Sequence, residues 1–311
     1  MRILILRGGA IGDFVVTTPV LRSLRETWPD CYIVLVGYPH IARLALQSGL
    51  ADEVRSLDEV GMARFFSWKP EFDEEQIGFI SSFDLVISFL HDPGGIVRKN
   101  LTQAGARFVI YRSPLVRNRH AVDQMMLALQ DLPVPMSEGA IPQLTLPESR
   151  LRRGRDILQE FALPAAPVAI HPGSGSPRKN WSLDNFISLR AALREELHLD
   201  SFFVLGEADQ HIRDSLERRK DAPPVVDGLP LTDTAALLAA SRAFIGNDSG
   251  VTHVAAALGL PTVAIFGPSD PSLWGPRGKH VRILQAADRQ LSSVSVSEVL
   301  DALRQLLSHN A

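Results

Sequence analysis

Apolar positions in this chain fall in short continuous runs, each followed by a turn rich in glycine or polar residues and then by a stretch of helical periodicity. Arg2 to Leu6 is the first run, and it ends in Gly8-Gly9-Ala10-Ile11-Gly12, which predicts a buried strand entering a tight turn. Behind it, Thr18 ahead of Pro19 predicts an N-cap with proline at the first helical position, and Val20, Leu21 and Leu24 supply an apolar stripe. Tyr32 to Val36, Leu85 to Phe89 and Phe108 to Tyr111 read as further strands. From Asp131 to Pro147 the pattern breaks, with Pro133, Pro135, Pro142 and Pro147 and little periodicity, as in an interdomain linker. The alternation then restarts with a strand at Val168 to His171, a loop of Gly, Ser and Pro, and a helix capped by Ser182. Phe202 to Leu205, Ala243 to Ile245, Thr262 to Phe266 and Val281 to Leu284 follow as strands, with helices opening near Ala208, Asp233 and Ser249. Ser295 and Glu298 have capping-box spacing, and Val296, Val299, Leu300, Leu303, Leu306 and Leu307 give a final amphipathic helix.

Strands alternating with helices in both halves predict two α/β domains, each a doubly wound parallel sheet. A length of 311 residues also exceeds one ordinary hydrophobic core. The expected division is 1–147, 148–290 and a C-terminal helical segment 291–311 that could pack back on the first domain. Such folds bind ligands at the carboxyl ends of their strands, so a cleft there between the two domains is expected, and the loops after strands are where chemistry should lie.

Composition adds exclusions. Hydrophobic residues at 45% and charged residues at 22% are those of a folded globular chain. The apolar run near Met1 is too short for a signal-peptide core or a membrane span, which predicts a cytoplasmic protein with at most peripheral membrane contact. Cys31 is the one cysteine, so an intrachain disulfide or a cysteine metal cluster is excluded, and a buried thiol beside a strand is expected. A net charge of -3 offers no global reason to bind nucleic acid.

Four loops carry candidate chemistry. Arg7 to Asp13 is glycine-rich, but it lacks Gly-x-Gly-x-x-Gly, and the second strand ends in Gly37-Tyr38 instead of an acid, which disfavours nicotinamide binding. Asp13 at its tip reads either as a general base for an attacking hydroxyl or as a residue that satisfies loop amides. His171-Pro172-Gly173-Ser174-Gly175-Ser176, with Lys179 and Trp181 behind it, suits a diphosphate held by amides, hydroxyls and a lysine, or is a plain surface loop. Gly246-Asn247-Asp248-Ser249-Gly250, with His253 one turn on, places helix-opening amides and a carboxylate together, for a phosphate and sugar hydroxyls or simply for N-capping. Gly267-Pro268-Ser269 is another turn on the same side. Arg107, Arg112, Arg117, Arg119 and His120 form a basic stretch that suits an acidic acceptor, and Phe65, Phe66 and Trp68 read as core aromatics by default. No His-x-x-x-His helix or clustered carboxylates suggest a metal, so none is expected.

Taken in order, Ile11-Gly12-Asp13 with Thr17-Thr18-Pro19, Lys179-Asn180-Trp181, and Asn247-Asp248-Ser249-Gly250-Val251-Thr252-His253 running on to Gly259 resemble the heptosyltransferase family of glycosyltransferases. The resemblance extends from Met1 to about Pro271, and His120-Ala121-Val122-Asp123 echoes another family segment. It implies the GT-B architecture, two Rossmann-like domains facing a cleft, and metal-free, inverting transfer of a heptose from ADP-heptose to a lipopolysaccharide-core or other glycan or glycolipid acceptor. No cofactor beyond the nucleotide-sugar substrate is implied. On that resemblance Asp13 is the base and Lys179 holds the departing diphosphate. Gly12, Ser174, Gly175, Glu207, Asp248, Ser249, Gly250 and His253 bind the donor, and Arg117, Arg119 and His120 face the acceptor. The chain departs from the family at His91-Asp92-Pro93-Gly94-Gly95, where an Asp-x-Gln-Gly type segment is usual, which leaves the acceptor open. Rival readings are another GT-B enzyme such as a nucleotide-sugar epimerase, and a silent nucleotide-sugar-binding module, which would need no base.

Overall fold

Runs of apolar residues without alternation can be satisfied only by strands covered on both faces, and that is what the computed structural model of the chain shows for residues 1–59, 61–136 and 139–308. The chain forms two units, Met1–Thr145 and Leu146–Ala311. Their boundary falls in the proline-rich segment, of which residues 137 and 138 lie outside the described ones, as do 309–311 of the C-terminal segment.

In the first unit the order is β1 (Arg2–Leu6), α1 (Ile11–Val15), α2 (Thr18–Thr27), β2 (Tyr32–Gly37), α3 (Pro39–Gln47), β3 (Glu53–Ser56), α4 (Glu74–Ser81), β4 (Leu85–Ser88), α5 (Ile96–Gln103), β5 (Val109–Tyr111) and α6 (Ala121–Met126). The strands pair in parallel in the order β3-β2-β1-β4-β5, with Ile3 beside both Ile33 and Leu85. One core packs Leu4, Leu6, Val34, Val36 and Val86 against Phe83, Val97 and Leu101. Cys31 is buried immediately before β2, and burial pushes its thiol pKa up.

The second unit contains α7 (Glu148–Glu160), β6 (Val168–His171), α8 (Leu183–Leu197), β7 (Ser201–Leu205), α9 (Gln210–Glu217), β8 (Val225–Asp227), α10 (Leu231–Ala239), β9 (Ala243–Asn247), α11 (Gly250–Ala257), β10 (Thr262–Phe266), α12 (Pro271–Trp274), β11 (Val281–Gln285) and α13 (Val296–Ser308). Its parallel order is β11-β10-β9-β6-β7-β8. Ile170, Phe203, Ile245 and Ile265 pack on Phe186, Leu189 and Leu193 of α8, and Val299, Leu300 and Leu303 of α13 complete the same core. The described part of the 291–311 segment thus belongs to the second unit. Ser295 and Glu298 do exchange capping bonds, at 3.2 and 2.8 Å.

Two local expectations shift. The N-cap of α2 is Thr17, and the Thr18 hydroxyl instead donates back to the Val15 carbonyl at 2.7 Å, because the chain already turns helically as α1 before Pro19. Glu53–Ser56 and Val225–Asp227 are strands that the apolar pattern missed, being short edge strands, where one side needs no hydrophobic cover.

Candidate functional site

The chain leaves β6 toward β7 on one side and, after β8, returns to lay β9 on the other, so the sheet order reverses between β6 and β9. Open parallel sheets bind ligands at the carboxyl ends of strands beside such a reversal. There His171 lies opposite Gly246, and the loop 172–182 and the opening of α11 leave the sheet together. Asn247 ties the two: its amide donates to the Pro172 carbonyl at 2.8 Å and its oxygen accepts the Trp181 N–H at 2.9 Å. The Trp181 ring is buried edge-on against Phe186, with its indole N–H on the Val294 carbonyl at 2.9 Å, so the loop is pinned from below.

On this base Lys179, Asp248, Ser249 and Gly250 come together, while Gly12, predicted with them, belongs to the first unit. The Lys179 ammonium lies 2.7 Å from Oδ2 of Asp248, with side chains 37% and 8% exposed. The same oxygen accepts from the Ser269 hydroxyl at 2.5 Å. Gln285 holds the Ser269 turn, its amide donating to the carbonyls of Gly267 and Ser269 at 2.7 and 2.8 Å. Ser249 is the N-cap of α11, its Oγ accepting the Thr252 N–H at 3.3 Å, and Gly250 is the first helical residue. The opening amides of a helix have no partners within it and carry the positive end of its dipole, which suits an anion. Ser174 serves the loop itself: its hydroxyl lies 2.7 Å from the Ser176 carbonyl and 2.6 Å from the Asn180 side-chain oxygen. Gly175 is exposed and would meet nothing within 4 Å if it carried a Cβ, so the backbone there is open to close approach. Glu207 is exposed directly after β7, and His253 is buried on α11.

Three residues beneath these loops had no assigned role in the sequence. His171 is buried between Ser249 and Asp209, with its Nδ1 3.1 Å from Ser249 Oγ and its Nε2 3.1 Å from Asp209 Oδ2. Asp209 is also buried and accepts the Gly206 N–H at 2.8 Å. Burial pushes the Asp209 pKa up, but hydrogen bonding to His171 and the charge of its ring outweigh this and hold it below the usual carboxylate value. Gly173 explains the fit of this carboxylate, because a Cβ there would come within 1.7 Å of Asp209 Oδ1. Gly173→Ala is therefore expected to displace the carboxylate and destabilise the protein by about 1–3 kcal/mol, as overpacking typically does. An unchanged unfolding temperature would show that Asp209 moves aside freely.

In the first unit, Asp13 sits in the first turn of α1. Its Oδ1 accepts from Arg7 Nη2 at 2.9 Å and its Oδ2 from the Ala10 N–H at 2.9 Å, and the side chain stays 27% exposed. Arg7 is buried, and its Nε also meets the Asp13 carbonyl at 3.1 Å and Thr17 Oγ1 at 3.0 Å. Burial pushes the guanidinium pKa down, against the opposing charge of Asp13. Gly9 has a φ of 98°, and a Cβ there would meet the Asp13 carboxylate at 2.8 Å, so both conformation and space demand glycine. Gly12 lies within α1, one residue before the acid. An ionised carboxylate offers about four lone-pair sites, and two hydrogen bonds leave Asp13 capacity for a hydroxyl.

Of the basic stretch, Arg117 and Arg119 are exposed, whereas His120 is buried and caps α6, its Nδ1 accepting the Val122 N–H at 3.2 Å. Phe65 is a core residue, but Phe66 is half-exposed and Trp68 is 83% exposed, so the default core reading fails for these two.

Residues 96–302 match the profile of Glycosyltransferase family 9 (heptosyltransferase). Over 99% of both chains, the protein is 25% identical to lipopolysaccharide heptosyltransferase 2 of Salmonella typhimurium. It is 21% identical to lipopolysaccharide heptosyltransferase 3 of Escherichia coli over 96% of both. Among solved structures, a glycosyl transferase family 9 protein of Veillonella parvula is similar with a TM-score of 0.78 and 23% identity, covering 99% of this chain and 97% of that one. The E. coli ADP-heptose lipopolysaccharide heptosyltransferase II is similar with a TM-score of 0.78 and 20% identity, covering 100% and 99%. At such identities the structural likeness establishes the fold, GT-B. With the profile spanning two thirds of its length and parts of both units, the chain belongs to glycosyltransferase family 9, the heptosyltransferases.

Proposed function

We propose that this glycosyltransferase moves a heptose or a related sugar from an ADP-sugar to a hydroxyl of a lipopolysaccharide-core or other envelope glycan, inverting the anomeric centre without a metal. The observation that carries the reading is the convergence, at the reversal of the second sheet, of the Lys179 ammonium, the Asp248 carboxylate and the opening of α11. The acceptor oxygen bonds to the anomeric carbon as the bond to the diphosphate oxygen breaks. The hydroxyl proton passes to Asp13, and the electron pair leaves with ADP. Negative charge grows on the departing diphosphate, so Lys179, the α11 amides and the open backbone at Gly175 act more strongly in the transition state than before it. Asp248, Ser249, Gly250 and His253 take the donor's sugar and phosphate side, and Glu207 its ribose. Arg117 and Arg119 meet an acidic acceptor, and His120 supports them by fixing the start of α6.

Among the described residues no three His, Cys, Asp or Glu form a metal-holding group, and Lys179 supplies the positive charge a metal would otherwise give. No helix among them is long and apolar enough to cross a membrane. In this proposal a lipid-linked acceptor is met at the membrane surface, on the cytoplasmic side, through the exposed Arg117 and Arg119. Incubation with ADP-heptose and a heptose-deficient core glycan should release ADP and extend the glycan, equally well with a chelator present. Activity that is abolished by chelation and restored by one divalent metal alone would overturn the metal-free mechanism. Failure of every ADP-sugar to transfer or to raise the unfolding temperature would overturn the donor assignment.

A further inference from the structure

Beneath the donor loops runs a buried chain of polar contacts: Asp209 Oδ2 to His171 Nε2 at 3.1 Å, His171 Nδ1 to Ser249 Oγ at 3.1 Å, Ser249 Oγ to Thr252 Oγ1 at 3.0 Å, and Thr252 Oγ1 to the Asn247 carbonyl at 2.5 Å. Each contact needs one hydrogen. The Asn247 carbonyl has none, so the Thr252 hydroxyl must donate to it. Thr252 Oγ1 must then accept from the Ser249 hydroxyl, which leaves Ser249 no hydrogen for His171. The His171 Nδ1 must therefore carry its own hydrogen and give it to Ser249 Oγ. A further hydrogen is still required between Nε2 and Asp209, and Asp209 Oδ2 is already accepting the Gly206 N–H. A neutral imidazole beside a carboxylate supplies three hydrogens for these four contacts and an imidazolium supplies all four; a carboxylic acid on a neutral imidazole would also make four, but its hydroxyl oxygen would be Oδ2, a poor acceptor for the Gly206 N–H that Oδ2 takes.

We propose that His171 is a positioning residue of the donor site, held doubly protonated between Asp209 and Ser249. As a cation it fixes the Ser249 hydroxyl, and through it the opening turn of α11 where the diphosphate is received. That functional half rests on the proposed donor site, whereas the proton count does not. The charged and titratable groups around the pair are Asp248 with Lys179 beside Ser249, His253 on α11, and His211 and Arg213 on α9 facing Asp209, with Arg213 itself bound to Asp227. A buried ion pair is a poor source of stability, and fixing one arrangement of the polar chain is the role that remains for it.

The test is nitrogen-15 NMR of the full-length protein with labelled histidine, with His171→Gln to assign the ring. Both ring nitrogens are expected to be protonated at about pH 7, as the hydrogen count requires. Asp209→Asn, which removes the counter-charge, should release the proton. ADP affinity of the wild type should fall roughly tenfold as pH rises through loss of that proton, because a charge-assisted hydrogen bond is lost. His171→Gln should bind ADP correspondingly weakly with no pH step there. A ring with one bare nitrogen at about pH 7, or a His171→Gln protein with wild-type ADP affinity and the same pH profile, would overturn the proposal. A doubly protonated His171 in a protein that does not bind ADP would sink the donor reading and leave the proton count standing.

Discussion

Asp13→Asn is expected to lower the transfer rate by about a hundredfold to ten-thousandfold, the usual cost of losing a general base and roughly 3 to 5 kcal/mol of barrier. Asparagine keeps the shape and one acceptor oxygen, so it can still meet either Arg7 or the Ala10 N–H, but it cannot take the acceptor's proton. ADP affinity should hold, since the proposed nucleotide site, with Lys179 and Asp248, belongs to the other unit. Stability should not hold fully. The buried Arg7 guanidinium loses its carboxylate and keeps Thr17 Oγ1 and a carbonyl, at a cost of about 1.5–3 kcal/mol for a hydrogen bond between charged groups. Rates are therefore to be compared well below the variant's unfolding temperature. A folded Asp13→Asn protein that transfers sugar at the wild-type rate would reduce Asp13 to a partner for Arg7 and the Ala10 amide.

That double duty shows what could and could not be read from the sequence. Asp13 was visible because it follows a strand and a glycine turn, whereas its partner Arg7 looked like the polar end of an apolar run. Only the fold shows that Arg7 is buried and that Gly9 leaves room for the carboxylate beside it. The same holds in the second unit. Strands β6, β9 and β10 are apolar runs up to the polar residues at their ends, and Ser182 and Ser249 cap the helices that their positions predicted. Residues that act across the sheet were not legible. Asp209 meets His171 across 38 positions and Ser269 meets Asp248 across 21, and no local pattern marks pairings made by strand order. His120 was visible as a residue type, but its cap on α6 was not. Trp68 defied the composition rule because it lies in the bend after Phe65 and Phe66, where no periodicity places it.

Lys179→Ala is expected to lower kcat/KM by about a hundredfold to a thousandfold, the range seen when one preorganised donor to a developing anion is removed. In contrast to Asp13→Asn, it should also weaken ADP binding, because in the proposed mechanism the ammonium holds the diphosphate before as well as during bond breaking. The structure adds a second consequence. Lys179 is the cation bound to Asp248, so its removal leaves a nearly buried carboxylate that keeps the Ser269 hydroxyl on the same oxygen but loses its counter-charge. Some of the lost affinity would then come from repulsion between Asp248 and the incoming phosphates. Asp248→Asn in the Lys179→Ala background separates the two contributions: if repulsion matters, ADP affinity recovers in part while turnover does not. Lys179→Arg should not restore wild-type turnover, since a planar fork cannot replace a compact charge held by one carboxylate oxygen. Measured kcat, KM and ADP affinity for the four proteins decide the matter. Wild-type kcat/KM in Lys179→Ala would mean that the α11 amides alone carry the leaving diphosphate, and that the lysine belongs to Asp248.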